Sequence, residues 1–327
     1  MEPAALCFEN LKRLFDMMIS HKSRTRHHDI SPQLLTFALS SELAFSALAN
    51  YAKTSFQVRH RYSNLYVGCY KDPSFTSEYN DGGYEDRNFI TACRKYISRV
   101  FIGALGHSED HIKICDYLAG MASLEEINMS AIHMHLTCGW YDNVEKMKEY
   151  RELLSTNARF STLIVNRFFF VSLQTTPDTN HFPNLTKLVI REDTLSNIDV
   201  SKLTRHSCPV LNSAHFLDSR LSKNGVTKLA KFCNVMQQTI SDVVVTLSKA
   251  ANVATNMNHH IEYQALISKQ FEKIKFHHKF LLTVNGVVGY IDDAVFEKAG
   301  FGTENGQLWV CKKEFGDTSV VYNVSIE

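Results

Sequence analysis

The residues best spaced for metal chemistry lie in the stretch HSEDHIKIC. His107, His111 and Cys115 follow one another at intervals of four residues, so all three would share one face of a helix. Imidazole and thiolate are ligands that zinc prefers, but a closed zinc site needs a fourth ligand, and the His-Glu-x-x-His order of zinc proteases is absent. We therefore interpret the stretch as a partly exposed helix with one buried cysteine, and we assign no metal and no cofactor.

Motifs for covalent or phosphate chemistry are also missing. The 327 residues contain no Gly-x-Ser-x-Gly, Gly-x-Gly-x-x-Gly or phosphate-loop pattern. Only 14 of them are glycine, which leaves few places for the backbone to approach a phosphate closely. A catalytic site that combines a nucleophile and a base from distant positions stays an open alternative at this point. The sequence nevertheless favours a protein that is not an enzyme.

The charge balance is close to neutral. Lys and Arg number 35, Asp and Glu number 34, and the net charge of +1 gives no general attraction to nucleic acid or to an anionic membrane. Two basic stretches, 21–28 and 59–62, are the candidates for phosphate contact, and Phe56 and Tyr62 are suited to stacking on bases. We interpret both stretches as solvated, so nucleic acid is not an expected partner. No apolar run reaches the roughly 18 to 20 residues that span a bilayer, so no membrane is expected either.

A strand–turn–helix unit is the clearest organising pattern, and it recurs. Between Cys208 and Cys233, a short strand leads through a polar turn into an amphipathic helix. The inward positions of this strand are Leu211, Ala214 and Phe216. The same spacing gives three earlier cores, which are Leu124, Ile127 and Met129, then Phe160, Leu163 and Val165, then Leu185, Leu188 and Ile190. A fifth copy is expected at Phe271, Ile274 and Phe276.

The intervals between these cores predict an α/β fold of the leucine-rich-repeat type. First core positions follow one another at 36, 25 and 26 residues, and such repeats usually measure roughly 20 to 29 residues. One repeat cannot bury its own faces, whereas stacked repeats form a continuous core. We therefore expect an irregular leucine-rich-repeat solenoid. The alternative is an ordinary α/β protein in which strands and helices simply alternate.

The two ends of the chain differ from the repeats. Residues 1–105 predict a helical module, residues 106–280 the repeat region, and residues 281–327 a β-rich C-terminal cap. Within the cap, we expect a turn at Asn285-Gly286 and a hairpin around Gly316-Asp317. The stretch MEPAALCFENLKRLFDMM reads as an amphipathic helix rather than a signal peptide, so we expect a cytoplasmic or nuclear protein.

The unit from Cys208 to Cys233 resembles the cysteine-containing leucine-rich repeats of F-box proteins. The matching segments are CPVL at 208–211, GV at 225–226 and LAKFC at 229–233. Ser219 departs from the pattern, because the family usually has a second cysteine or an asparagine there. The resemblance is good in this unit and fair in the other three, and it covers about half of the chain. The resemblance implies that the chain is the substrate receptor of a cullin-RING ubiquitin ligase.

An F-box protein also carries an N-terminal helical module that binds a Skp-type adaptor and, through it, the cullin. By resemblance, the candidate module spans residues 37–66, although Ser40 replaces the family's proline and the usual tryptophan is missing. The adaptor-binding positions that the resemblance implies are Leu39, Leu43, Leu48, Tyr51 and Val58.

The strand positions that alternate with the buried cores are the candidates for binding a target protein, because successive strand side chains face opposite sides. They are Glu126, Asn128, Lys187, Val189, Ser213 and His215. The expected function is recognition of a protein without chemistry. The alternative is a repeat scaffold in a protein or RNA-processing complex with no role in ubiquitin transfer.

Overall fold

The computed structural model describes most of the chain in two compact units, Met1–Phe160 and Ser161–Glu327. The described residues are 10–17, 30–62, 64–69, 76–78, 84–105, 108–130, 150, 153–154, 159–166, 170, 182–191, 207–219, 222–247, 257–303 and 306–326. The fold is mixed α/β, and most neighbouring strands run parallel. The boundaries expected near residues 105 and 280 stay predictions.

The first unit contains five helices and five strands among its described residues. In chain order they are α1 (10–17), α2 (Ile30–Ala38), α3 (Glu42–Ser55), β1 (Phe56–Tyr62), β2 (Asn64–Cys69), β3 (Thr76–Glu78), α4 (Tyr84–Arg94), β4 (Arg99–Leu105), α5 (Ser108–Ala119) and β5 (Glu126–Met129). The strands lie in the order β5-β4-β1-β2-β3. β1 pairs parallel with β4 and β4 with β5, whereas β1, β2 and β3 are antiparallel.

The helical module expected at 1–105 contains helices but also, among its described residues, four strands, so the expectation is wrong for β1 to β4. In β1, the alternating residues Phe56, Val58 and His60 are all buried. Alternate burial and β-branched or aromatic side chains favour a strand over a helix. β1 is also held by neighbours on both sides, so tertiary pairing adds to this local preference.

The second unit contains eight strands and three helices among its described residues. They are β6 (Thr162–Asn166), β7 (Lys187–Arg191), β8 (Ser213–Ser219), α6 (Lys223–Val235), β9 (Asp242–Leu247), α7 (Met257–Phe271), β10 (Phe280–Val288), α8 (Asp293–Lys298), β11 (Gly302–Thr303), β12 (Leu308–Phe315) and β13 (Thr318–Ile326). β6 to β10 lie side by side in chain order, and β13, β12 and β11 follow β10. The neighbouring pairs β6–β7, β7–β8, β8–β9, β9–β10 and β10–β13 are parallel, whereas β13–β12 and β12–β11 are antiparallel.

The four predicted repeat cores are buried, and each has two residues on a strand. In the second unit their inward positions are in register, since Leu163 pairs with Leu188 and Leu188 with Ala214. The helix expected after β8 is α6, whose N-cap Ser222 accepts a hydrogen bond of 3.0 Å from the Gly225 amide. This helix is amphipathic as predicted, and its inward residues Val226, Leu229, Ala230 and Cys233 are buried.

The fifth core expected at Phe271, Ile274 and Phe276 is wrong. Phe271 ends α7, and residues 272–279 connect it to β10 without a strand. The apolar spacing there arises because Phe271 and Phe276 both stack on the ring of Phe280 at the start of β10. A repeat core that was not identified ends on β9. Ile240, just before the strand, and Val243 and Val245 on it are fully buried with the same spacing.

The β-rich C-terminal end is confirmed, but its two turns have different outcomes. Gly316 has φ of 61° in the two-residue connection between β12 and β13, which confirms the expected hairpin. Asn285-Gly286 is not a turn, because β10 runs straight through both residues. Gly286 lies against the imidazole of His260 on α7, and Asn323 Nδ2 on β13 donates to Asn285 Oδ1 at 2.9 Å. Both residues therefore serve packing and strand pairing.

Helices long and apolar enough to cross a membrane are not found among the residues that the structure describes.

Candidate functional site

The helices of the second unit pack on one face of its sheet, which we call the helix face. Phe232 of α6 contacts Phe216 on β8, and Phe296 of α8 contacts Trp309 on β12. His260 of α7 contacts Tyr322 on β13. The strand pairing places these sheet residues on the same side as the buried repeat cores. On the side of the buried cores, helices thereby pack against β8, β12 and β13.

The opposite side of the strands, which we call the open face, carries no packed helix in the described part of the chain. Its side chains alternate with the buried ones and are half-buried or exposed, apart from Asn166 and Val189. One row runs across six strands and is β-branched except at its histidine. This row consists of Ile164, Val189, His215, Val244, Thr283 and Val321. We call it the central stripe.

A polar cluster lies beside the central stripe on β8 and β9. Ser213 Oγ donates to Asp242 Oδ2 at 3.0 Å, and His215 Nε2 lies 3.3 Å from the same oxygen. The side chain of His215 is 22% exposed and that of Asp242 is 37% exposed. The cluster is therefore accessible from the open face, and a single carboxylate oxygen orients both neighbours.

The environment of His215 favours the neutral imidazole. Burial lowers the pKa of His215 below its ordinary value of 6.5, and the positive charge of Lys187 lowers it further. The hydrogen bond and the charge of Asp242 act in the opposite direction, but they are the smaller effects. Folding stability from this group is present above pH 6.5 and is lost as the pH falls below that value, because the unfolded chain then binds the proton better.

The cluster has the residue types of a catalytic triad but lacks its geometry. In a triad the base takes the proton of the nucleophile, which requires a hydrogen bond between serine and histidine. Here Ser213 and His215 both bond to Asp242, and the structure gives no bond from one to the other. The arrangement orients polar groups on a surface rather than activating a hydroxyl.

The structure brings four of the six predicted target-binding residues together. Lys187 pairs with Ser213, and Val189 pairs with His215, on the neighbouring strands β7 and β8. The expectation that Val189 is exposed is wrong, since it is only 5% exposed. In the sheet it lies in register between Ile164 on β6 and His215 on β8.

Glu126 and Asn128, the other two predicted target-binding residues, lie on β5 in the first unit. Both are half-buried and alternate with the buried Ile127 and Met129, as expected. Asn128 Oδ1 accepts hydrogen bonds from the amide and the hydroxyl of Ser130, at 3.0 and 2.8 Å. Asn128 therefore already stabilises the end of its own strand, and a role in binding for either residue stays a prediction.

The five residues implied for adaptor binding separate into two groups. Leu48, Tyr51 and Val58 are at most 3% exposed, so their side chains belong to the core of the first unit. Tyr51 packs against the rings of Phe15 and Phe56 and donates from its hydroxyl to Asp16 at 2.8 Å. The prediction that these three residues contact an adaptor is wrong, because α3 and β1 direct their side chains into the core.

Leu39 and Leu43 remain at the surface. Leu39 is 67% exposed just after α2, and Leu43 is 42% exposed in the first turn of α3. Ser41 caps α3 by accepting from the Ala44 amide at 3.1 Å, which fixes the corner between the two helices. The corner presents two apolar side chains to solvent.

The remaining candidates from the sequence give less. The metal candidate lies partly outside the described residues, which omit His107 and the side chain of His111; Cys115 is half-buried on α5. No group of three metal-binding side chains occurs among the residues that are described. The basic stretch 21–28 is also outside them, and Arg59 is half-buried on β1.

Asp242 and Val244 are the site residues that sequence reasoning missed. Both lie on β9, whose core Ile240, Val243 and Val245 matches the other repeats 29 residues after Leu211. Extending the spacing by one more unit would have identified this strand and its two outward residues.

Comparison with known proteins gives no relative, since no family model and no curated protein matches the chain.

Proposed function

We propose that the chain is a protein-recognition module without enzymatic activity, a leucine-rich-repeat solenoid whose open face binds a target protein. The observation that carries this proposal is the open face itself, where half-buried side chains cross six strands and no helix of the described residues covers them. A sheet that needed both faces for its core would show buried side chains on both sides. This one keeps a mixed polar and apolar surface accessible, as a protein interface requires.

A recurring backbone pattern supports the repeat interpretation. The carbonyl of Ser161 accepts from the amides of residues 186 and 187, and the carbonyl of Thr186 accepts from the amides of residues 212 and 213. The carbonyl of Asn212 accepts from the amides of residues 241 and 242 in the same way. Identical bonds from one unit to the next are what stacking of equivalent repeats produces, since each repeat contacts its neighbours.

By the resemblance to F-box proteins, the role of the module is that of a substrate receptor in a cullin-RING ubiquitin ligase. A Skp-type adaptor would dock on the first unit and link it to the cullin. Leu39 and Leu43 support this role, because they are the two implied contact residues that are accessible. Exposed leucines at a rigid helix corner suit a helix-to-helix interface, whose centre is depleted in charge.

Binding to the adaptor tests this role. The parent chain and a Leu39→Asp, Leu43→Asp variant are each mixed with purified Skp-type adaptor and analysed by size-exclusion chromatography with light scattering. We expect a one-to-one complex for the parent and none for the variant. The matched control is Val210→Asp, Val235→Asp, which changes two exposed apolar residues of the second unit and is expected to keep the complex. Circular dichroism checks that all three are folded.

One observation favours the alternative of a scaffold without a ubiquitin role. Residues 56–62 form the strand β1 between two other strands, whereas an F-box module is helical. If the folded parent chain does not bind the adaptor, the receptor role is refuted and the scaffold role remains, with the open face as its binding surface.

A further inference from the structure

The open face carries two cations for which the described part of the chain provides no acidic partner. Lys187 and Arg191 lie on β7, on either side of Val189 in the central stripe. Four residues along a strand place them about 13 Å apart, on the same face. Within the described part of the chain, neither side chain takes part in an ion pair or a hydrogen bond, although the charge of Lys187 acts on His215.

The carboxylates of the same face, in contrast, are already engaged. Asp242 accepts from Ser213 and contacts His215, and Glu314 pairs with Lys312 at 2.8 Å. Neither carboxylate lies within ion-pair distance of the two β7 cations. With Lys312 and Glu314 paired, the two cations of β7 outnumber the single carboxylate of Asp242, so the described charged groups of the open face have a net positive charge that lies on β7.

Apolar side chains separate the two cations and extend away from them along the central stripe. The buried Val189 lies between Lys187 and Arg191 on β7, and the half-buried Ile164 lies beside it on β6. The half-buried Val244 and Val321 continue the row, so the accessible apolar surface comes from Ile164, Val244 and Val321. At about 4.8 Å between strands, the six strands of the stripe span about 24 Å, which matches about seven residues of extended peptide.

From this geometry we infer that the open face recognises an acidic segment of a partner protein. Apolar side chains of the segment lie on the central stripe, and its carboxylates pair with Lys187 and Arg191. Charge complementarity selects this occupant over a basic or neutral one. The inference rests on the proposed function, since it names the chemistry of the protein that the open face binds.

Competition between peptide pools tests the inference. Three degenerate pools of eight-residue peptides share Val, Ile or Leu at alternate positions. The other positions hold Asp or Glu in the acidic pool, Ser or Asn in the neutral pool, and Lys or Arg in the basic pool. An equimolar mixture is passed over the immobilised full chain, and the bound peptides are quantified by mass spectrometry. We expect the acidic pool to be enriched over the neutral pool by about tenfold, which corresponds to two exposed ion pairs, one with Lys187 and one with Arg191.

Charge reversal at the site supplies the specific control. Lys187→Glu, Arg191→Glu is expected to abolish the enrichment. Lys269→Glu, Lys298→Glu changes the net charge equally at exposed positions of α7 and α8, and it is expected to keep the enrichment. If both variants lose the enrichment, or neither does, the acidic pool responds to net charge or binds elsewhere, and the inference is overturned.

The remaining outcomes separate this inference from the proposed function. Capture of the neutral or basic pool that is lost in a Val244→Glu variant would overturn the acidic partner and retain recognition by the open face. Capture of no pool at all would overturn the acidic partner and count against the open face as a peptide-binding surface.

Discussion

Replacing Gly286 with alanine tests the packing of the second unit at one atom. Gly286 lies in the middle of β10, with its helix-face side against His260 of α7. A Cβ atom there would overlap Cε1 of the imidazole and lie 2.8 Å from Nδ1 and 3.4 Å from Nε2. Ordinary carbon contacts begin near 3.5 Å, so the ring must move.

The ring of His260 has little freedom to move. It is 1% exposed, and its Nδ1 lies 3.0 Å from the hydroxyl of Tyr322, with which it is hydrogen bonded. Tyr322 is itself fully buried, and burial raises the pKa of its hydroxyl. We expect Gly286→Ala to lower the free energy of unfolding by about 2–4 kcal/mol, from about 1–3 for overpacking and about 1 for the hydrogen bond.

Urea unfolding followed by circular dichroism measures this loss. Gly289→Ala is the matched control, because nothing lies within 4 Å of a Cβ atom at that position, and its stability is expected to stay within about 0.5 kcal/mol of the parent. In a His260→Ala background, Gly286→Ala is expected to cost less than about 1 kcal/mol, since the obstructing ring is gone. An unchanged stability of Gly286→Ala, or an equal loss without the imidazole, would refute this reasoning.

Three further predictions concern the site and its supporting elements. In an NMR titration, Lys187→Met is expected to raise the pKa of His215 and Asp242→Asn to lower it, and two shifts of the same sign would contradict the cluster. Ser222→Ala is expected to cost about 1 kcal/mol in urea unfolding through loss of the α6 cap, and no loss would mean that the cap is unimportant. Iodoacetamide is expected to modify Cys115 in the folded chain, and peptide mapping should show that the buried thiols react only after unfolding. Burial raises the pKa of the Cys93 and Cys208 thiols to about 12, and it also raises the pKa of the Cys233 thiol.

The repeat strands were predictable because one local pattern decides them. A core such as Leu185, Leu188 and Ile190 must face inward once the strand forms, and its spacing is visible in the sequence. The neighbouring outward residues follow from alternation, which is why Lys187 and Ser213 were identified correctly as accessible.

The misjudged positions depend on contacts between distant residues. Asn285-Gly286 has the chemistry of a turn, yet Gly286 is needed where His260 approaches from another element. Likewise, Leu43 and Leu48 look equivalent in the sequence, but only the packing of α3 decides that Leu48 is buried and Leu43 exposed. The polar cluster needed Asp242, whose strand lies 27 residues after His215 in the chain.

Site-specific photo-crosslinking tests recognition by the open face most directly. Benzoylphenylalanine is introduced singly at Thr162 and Thr283 on the open face, and at Lys231 and Glu262 on the exposed sides of α6 and α7. After irradiation in cells that produce the chain, denaturing purification reveals covalent adducts. Protein adducts of discrete mass from Thr162 and Thr283 alone are the predicted result. Adducts from the helix positions alone, or equally from all four, would contradict the open face as the recognition surface.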